Sequence, residues 1–229
     1  MQKANRRSLS NQFISSAAWL FLLATLPRIA AAYIPELQYI VPIVYLFMAV
    51  AVCLHPERAA LGFKKPQYSH TTALLVALLV GYYFLSSFVL WQMFGATLDN
   101  WNTKFWLMMK DVGGVEINVW FFLTTSAVLI FYTVEEFYFR GILFSQLRKK
   151  NTAAITILII SALWAILHLG VYGMNPFNGN MILGMLPSVF GMGVFLGLLR
   201  EVTGSAFMCA IAQAIGNIAL LGWTASYMG

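Results

Sequence analysis

The 229-residue chain is 60% hydrophobic and only 10% charged, whereas soluble globular chains run about 45–50% apolar and about 25% charged. That excludes a soluble domain, and the length fits one polytopic membrane domain over residues 1–229 with no room for a second globular one. The formal charge of +6 does not mark a nucleic-acid partner, because the basic residues fall in small groups between apolar runs. Topology signals and lipid-headgroup contacts have that pattern.

A membrane-spanning helix needs about 20 mostly apolar residues to cross about 30 Å of hydrocarbon. Seven stretches qualify in chain order, roughly 13–33, 37–54, 71–94, 118–144, 153–172, 181–199 and 204–224. The expected fold is therefore an all-α bundle of about seven transmembrane helices around an intramembrane polar cavity. Residues 1–117 hold the N-terminal spans and an interfacial loop, and residues 118–224 form the core that carries the motifs.

The first span follows Lys3, Arg6 and Arg7 and ends near Pro27 and Arg28. That order also fits a cleaved signal peptide over residues 1–32, but an uncleaved span with a proline-bent end is the preferred reading. A turn at Pro35-Glu36 sends the second span back, and Pro56 and Pro66 bound the basic linker that follows. The long loop 95–117 mixes charge signs around Trp101, Phe105 and Trp106, as a segment lying on the membrane surface would. Glycines 184, 191, 193 and 197 in the sixth span read as points of close helix packing. Cys53 and Cys209 stand alone in apolar runs, with neither disulfide nor zinc-like spacing.

With the N-terminus in the cytoplasm, the inner segments hold Lys3, Arg6, Arg7, Arg58, Lys64, Lys65, Arg148, Lys149, Lys150 and Arg200. The outer ones hold only Arg28, Lys104 and Lys110. This bias orients the chain with its N-terminus inside and its C-terminus outside.

The fourth span contains Glu135, Glu136 and Arg140, three ionisable residues where each costs several kcal/mol and is usually functional. Glu136 and Arg140, four apart with the acid first, form the better-ordered helical ion pair. Glu135 points about 100° away on a regular helix. A carboxylate turned from that cation in a low-dielectric pocket suits a general base or acid. Counting 1.5 Å per residue from the cytoplasmic ends puts Glu135 at about 18 Å, His168 in the fifth span at about 22 Å and Asn217 in the seventh at about 20 Å. Gln213 lies one turn shallower on the face of Asn217. Glu135 and His168 together suit activation of a water, and the amides of Asn217 and Gln213 suit stabilisation of an oxyanion. Ser126 and Ser161 have no evident base.

At these residues the chain resembles the CPBP family of intramembrane proteases, which includes type II CAAX prenyl endopeptidases and bacteriocin-processing or Abi-type proteins. The family's Glu-Glu-x-x-x-Arg motif is matched by Glu135, Glu136 and Arg140, followed by Gly141. Its aromatic-x-x-x-His motif is matched by Trp164 and His168, where phenylalanine is usual. Its His-x-x-x-Asn motif reads Gln213-Ala-Ile-Gly-Asn217. The resemblance covers about residues 120–222. It implies a bacterial inner-membrane protein and a glutamic-type endopeptidase acting near the C-terminus of a membrane-associated protein or peptide. Glu135 and His168 would activate the water, and the residues of the third motif would form the oxyanion site. No cofactor is expected; zinc is disfavoured because Gln213, an amide, is a poor zinc ligand. Expected partners are membrane lipids and the protein or peptide substrate.

Blander readings stand beside this one. The charged stretch can be read as a structural brace, His168 as a satisfied interior histidine, Asn217 and Gln213 as interhelical glue, and Trp164 as packing. In function, the alternatives are a proton or solute transporter using a Glu/His relay and a non-catalytic scaffold or immunity protein. Many transporters carry internal inverted repeats, and none is visible.

Overall fold

The computed structural model describes residues 30, 33–34, 40–54, 56, 58–114 and 116–228. Nearly all of the first expected span, the question of its cleavage and the Pro35-Glu36 turn lie outside the described residues. The described chain is all-helical, without a β-strand. Its helices are α1 (Ile40–Cys53), α2 (His70–Phe94), α3 (Trp101–Gly113), α4 (Val119–Tyr132), a π-helical segment (Phe137–Leu143), α5 (Phe144–Leu147), α6 (Ala153–His168), α7 (Gly179–Thr203) and α8 (Ala206–Met228).

Local chemistry fixes where most of these begin. Ser69, Asn100, Asn118, Thr152 and Asn178 each accept a hydrogen bond from a backbone N–H in the first turn of α2, α3, α4, α6 and α7. Such side chains satisfy donors that the helix itself leaves orphaned. Gly204, left-handed at φ 64°, closes α7.

Among the described residues, four stretches are long and apolar enough to cross a membrane: His70–Phe94, Val119–Leu147, Gly179–Thr203 and Ala206–Met228. The expected seven are not all matched. Helix α6 is apolar but has 16 residues, about 24 Å of rise against about 30 Å of hydrocarbon. Helix α1 has 14. Phe47, Leu85, Trp120 and Leu183 are among many large apolar side chains left exposed. In water, so much contiguous apolar surface would drive aggregation.

Helix α7 is the spine of the bundle. A Cβ added at Gly193 would come within 3.0 Å of Ser161, and one at Gly197 within 2.9 Å of Ile157. The missing side chains on α7 thus let α6 pack close, in antiparallel register. On another side, Gly184 faces Leu90 and Gly191 faces Tyr82 of α2, and the Tyr82 hydroxyl donates to the Pro187 carbonyl at 3.0 Å.

The expected surface segment is α3, and it packs into the protein. Trp101, Phe105, Trp106 and Met109 are buried, and Trp106 meets Phe121 of α4 edge-on at 5.4 Å. Its apolar stripe is covered by protein, not only by the membrane interface.

Candidate active site

The expected regular helix over 118–144 is interrupted at its centre. Helix α4 stops at Tyr132, a turn covers Thr133 and Val134, and the backbone then opens into the π-helical segment Phe137–Leu143. The Thr133 hydroxyl donates to the Ile130 carbonyl at 2.7 Å, and such back-bonding bends helices. A π segment widens the ladder and is frequent at functional sites. Arg200 of α7 donates from Nε to the Arg140 carbonyl at 2.6 Å, and from Nη2 to Ser145 Oγ at 3.1 Å. A cation from a neighbouring helix thus secures backbone in the irregular region.

Within that region Arg140 Nη1 lies 2.6 Å from Glu136 Oε1, with both side chains fully buried. Arg140 Nη2 also donates to the Gly193 carbonyl at 3.3 Å, and its Cζ sits 4.7 Å from the centre of the Trp164 ring. Glu136 Oε2 and Arg140 Nε have no hydrogen-bond partner among the described residues. Glu136 and Arg140 stand behind the cavity described below and do not line it.

Glu135 turns the other way. It is 3% exposed and its Oε1 accepts two hydrogen bonds, from Trp164 Nε1 at 3.0 Å and from Gln213 Nε2 at 2.8 Å. The indole of α6 and the amide of α8 therefore grip one carboxylate oxygen. His168, one turn beyond Trp164, places Nδ1 2.8 Å from the Trp164 carbonyl. A carbonyl can only accept, so Nδ1 carries the proton in that contact and Nε2 is the ring nitrogen able to act as a base. The imidazole packs edge-on to Trp164 at 4.8 Å and parallel to Tyr172 at 6.5 Å. Asn217 Oδ1 accepts from the Tyr83 hydroxyl at 3.3 Å, and among the described residues its Nδ2 donor has no hydrogen-bond partner.

Glu135, Trp164, His168, Gln213 and Asn217 line a single cavity of about 530 Å³. Its other walls are mainly apolar, with Phe105, Met108 and Met109 from α3, Leu129 and Phe131 from α4, and Met192 from α7. Beside these five residues the lining includes Asp111, Tyr83, Tyr132 and Tyr172, so the walls are mixed and not uniformly polar. A carboxylate, an imidazole and an amide beside an apolar chamber can hold a water next to an extended apolar substrate.

The six residues singled out in the sequence fall into two groups: Glu135, His168, Gln213 and Asn217 face the cavity, and Glu136 and Arg140 brace it from behind. Two further residues were not anticipated there. Trp164, expected to pack, donates to Glu135; the signal was its indole N–H at a position where phenylalanine is usual. Tyr83, which orients Asn217, left no sequence signal beyond a hydroxyl in an apolar span. Gln213, expected to face an oxyanion, has its amide hydrogen directed at Glu135, and its Oε1 is buried without a hydrogen-bond partner among the described residues. Ser161 is engaged by the Ile157 carbonyl at 2.7 Å.

Among the described residues no three His, Cys, Asp or Glu side chains gather as a metal-ligand set. Gln213 presents Nε2, a donor, towards Glu135, the reverse of what a ligand to a shared cation would offer.

A family model described as type II CAAX prenyl endopeptidase Rce1-like matches residues 116–219. No curated protein and no solved structure matches the chain. The matched region runs from the start of α4 to Ile218–Ala219 in α8 and contains every motif residue above. With four helices of spanning length, the chain is an integral membrane protein. Over residues 116–219 the chain is similar to this Rce1-like family of peptidases.

Proposed function

We propose that the protein is an intramembrane endopeptidase of the glutamic type. The observation that supports this most is the meeting of Glu135 and His168, from separate helices, on one apolar-walled cavity, with the carboxylate held by Trp164 and Gln213. A membrane-buried carboxylate held by neutral donors suits a general base.

In this reading a water between Glu135 and His168 attacks the carbonyl carbon of the scissile bond, and its proton passes to Glu135. The new oxyanion is stabilised by the Asn217 Nδ2 donor, whose orientation Tyr83 supports. Glu135 then returns the proton to the peptide nitrogen, the C–N bond breaks, and an amine and a carboxyl product leave. His168 Nε2 orients the water and stabilises charge during transfer. No metal or cofactor takes part. The substrate is an apolar stretch of a membrane-associated protein or peptide, taken from the bilayer of a bacterial inner membrane.

The substrate need not be identified in advance for a test. Membranes expressing the wild type, Glu135→Gln or His168→Ala at equal levels are compared for newly formed protein termini by mass spectrometry. Termini found with the wild type and lost with both variants are expected. A set of termini unaffected by either change would overturn the proposal.

A further inference from the structure

Two neutral donors from different helices converge on one oxygen of Glu135. Trp164 Nε1 lies 3.0 Å and Gln213 Nε2 2.8 Å from Oε1. A carboxylate oxygen has two in-plane lone pairs, so this pair of bonds fills it. Any further hydrogen bond, and any proton the carboxylate accepts, then belongs to Oε2. Trp164 is 2% exposed, so its indole N–H would be left unsatisfied if the carboxylate turned away, and a buried orphan donor is costly.

Trp164 also touches the two other parts of the site. The Arg140 guanidinium sits 4.7 Å from its ring centre, and a cation over an indole face draws electron density from the ring. That makes the N–H a stronger donor to Glu135. One turn along α6, the Trp164 carbonyl holds His168 Nδ1 at 2.8 Å. The indole edge therefore sets the carboxylate, the indole face meets the buried ion pair, and the backbone sets the imidazole.

We propose that Trp164 is a positioning residue. Acting with Gln213, it locks Oε1 of Glu135 so that Oε2 is the proton-accepting atom, and it carries the charge of Arg140 to that carboxylate through its ring. Phenylalanine could fill the space and receive the cation but could not hold the oxygen. In this chain Gln213 is the second half of the clamp, not a donor to the oxyanion. The proposal rests on reading Glu135 as the base, but its first test needs no substrate.

That test is infrared spectroscopy of the purified protein in detergent. The bands of Glu135 are isolated by subtracting the spectrum of Glu135→Gln made in the same background. Trp164→Phe removes the N–H, and Trp164→benzothienylalanine, installed at that position alone, replaces it with sulfur while keeping the bicyclic shape. Gln213→Met removes the other donor. The Glu135 carboxyl bands are expected to shift in all three, with the benzothienylalanine protein still folded and unfolding cooperatively. Bands that coincide with the wild type in that protein would overturn the proposal, even if Trp164→Phe misfolds. Once termini mapping has supplied a cleavable peptide, the same protein should lose about tenfold or more in kcat at unchanged KM, as loss of a hydrogen bond to a charged group implies. An unchanged kcat would also overturn it. If no peptide is cleaved at all, the endopeptidase reading fails while the band shifts still decide the clamp.

Discussion

Arg140 and Glu136 form an ion pair at 2.6 Å with neither side chain exposed. Breaking a buried pair by removing one partner typically costs about 3–5 kcal/mol, because an uncompensated charge stays behind, whereas replacing both partners together is often near neutral. Arg140→Met should therefore lower the unfolding midpoint sharply, and Glu136→Gln with Arg140→Met should recover much of the loss. The exposed pair Arg148–Glu201, bidentate at 3.0 and 2.9 Å, is the contrast. Removing it should leave the unfolding midpoint nearly unchanged, because an exposed pair is screened by solvent. Thermal unfolding in detergent, run as two double-mutant cycles, measures both.

Gly193 sets the distance between α7 and α6, and α6 carries Trp164 and His168. A Cβ there meets Ser161 Cβ at 3.0 Å and its Cα at 3.1 Å, so backbone has to move. Gly193→Ala should cost about 1–3 kcal/mol as overpacking and lower activity by displacing α6. Gly222→Ala on α8, where nothing lies within 4 Å, should leave both unchanged. Stability and cleavage by the two proteins, side by side, check this.

Outside the spanning segments, Asp99 ties the loop before α3 to the start of α7. Its Oδ1 accepts from Asn178 Nδ2 at 2.9 Å and its Oδ2 from Asn180 Nδ2 at 3.0 Å. These two amides hold its pKa below the ordinary carboxylate value. A depressed folded-state pKa means the contribution is complete above the unfolded value and is lost as pH falls through the folded one. Hydrogen exchange should therefore show the 95–100 and 172–180 segments opening in acid. Asp99→Asn should give that opening already at neutral pH.

Much of this arrangement is legible in the sequence. Rise per residue alone put Glu135, His168 and Asn217 near one depth, with Gln213 a turn shallower; all four line one cavity. Depth can be counted because a helix converts residue number into height at a fixed rate. Direction around the axis is another matter. The turn at 133–134 and the π-helical segment 137–143 interrupt the regular 3.6-residue repeat on either side of Glu135, so its facing does not follow from spacing alone. The turning of Gln213 towards Glu135 and the reach of Arg200 to the Arg140 carbonyl depend on rotamers and on interhelix distances, which no local pattern encodes. The family match over residues 116–219 agrees with the resemblance read from Glu135-Glu136, Arg140, His168 and Asn217.

Everything proposed for the site turns on Glu135 as the base that activates water for peptide hydrolysis. The decisive measurement is cleavage of a peptide identified by termini mapping, by protein reconstituted in lipid vesicles, comparing wild type with Glu135→Gln. Gln keeps the shape of the side chain and its contacts within hydrogen-bonding reach but cannot take up the proton. The wild type should cut the peptide, and Glu135→Gln should be slower by at least about a hundredfold. Cleavage by Glu135→Gln at the wild-type rate would show that the carboxylate is not the base.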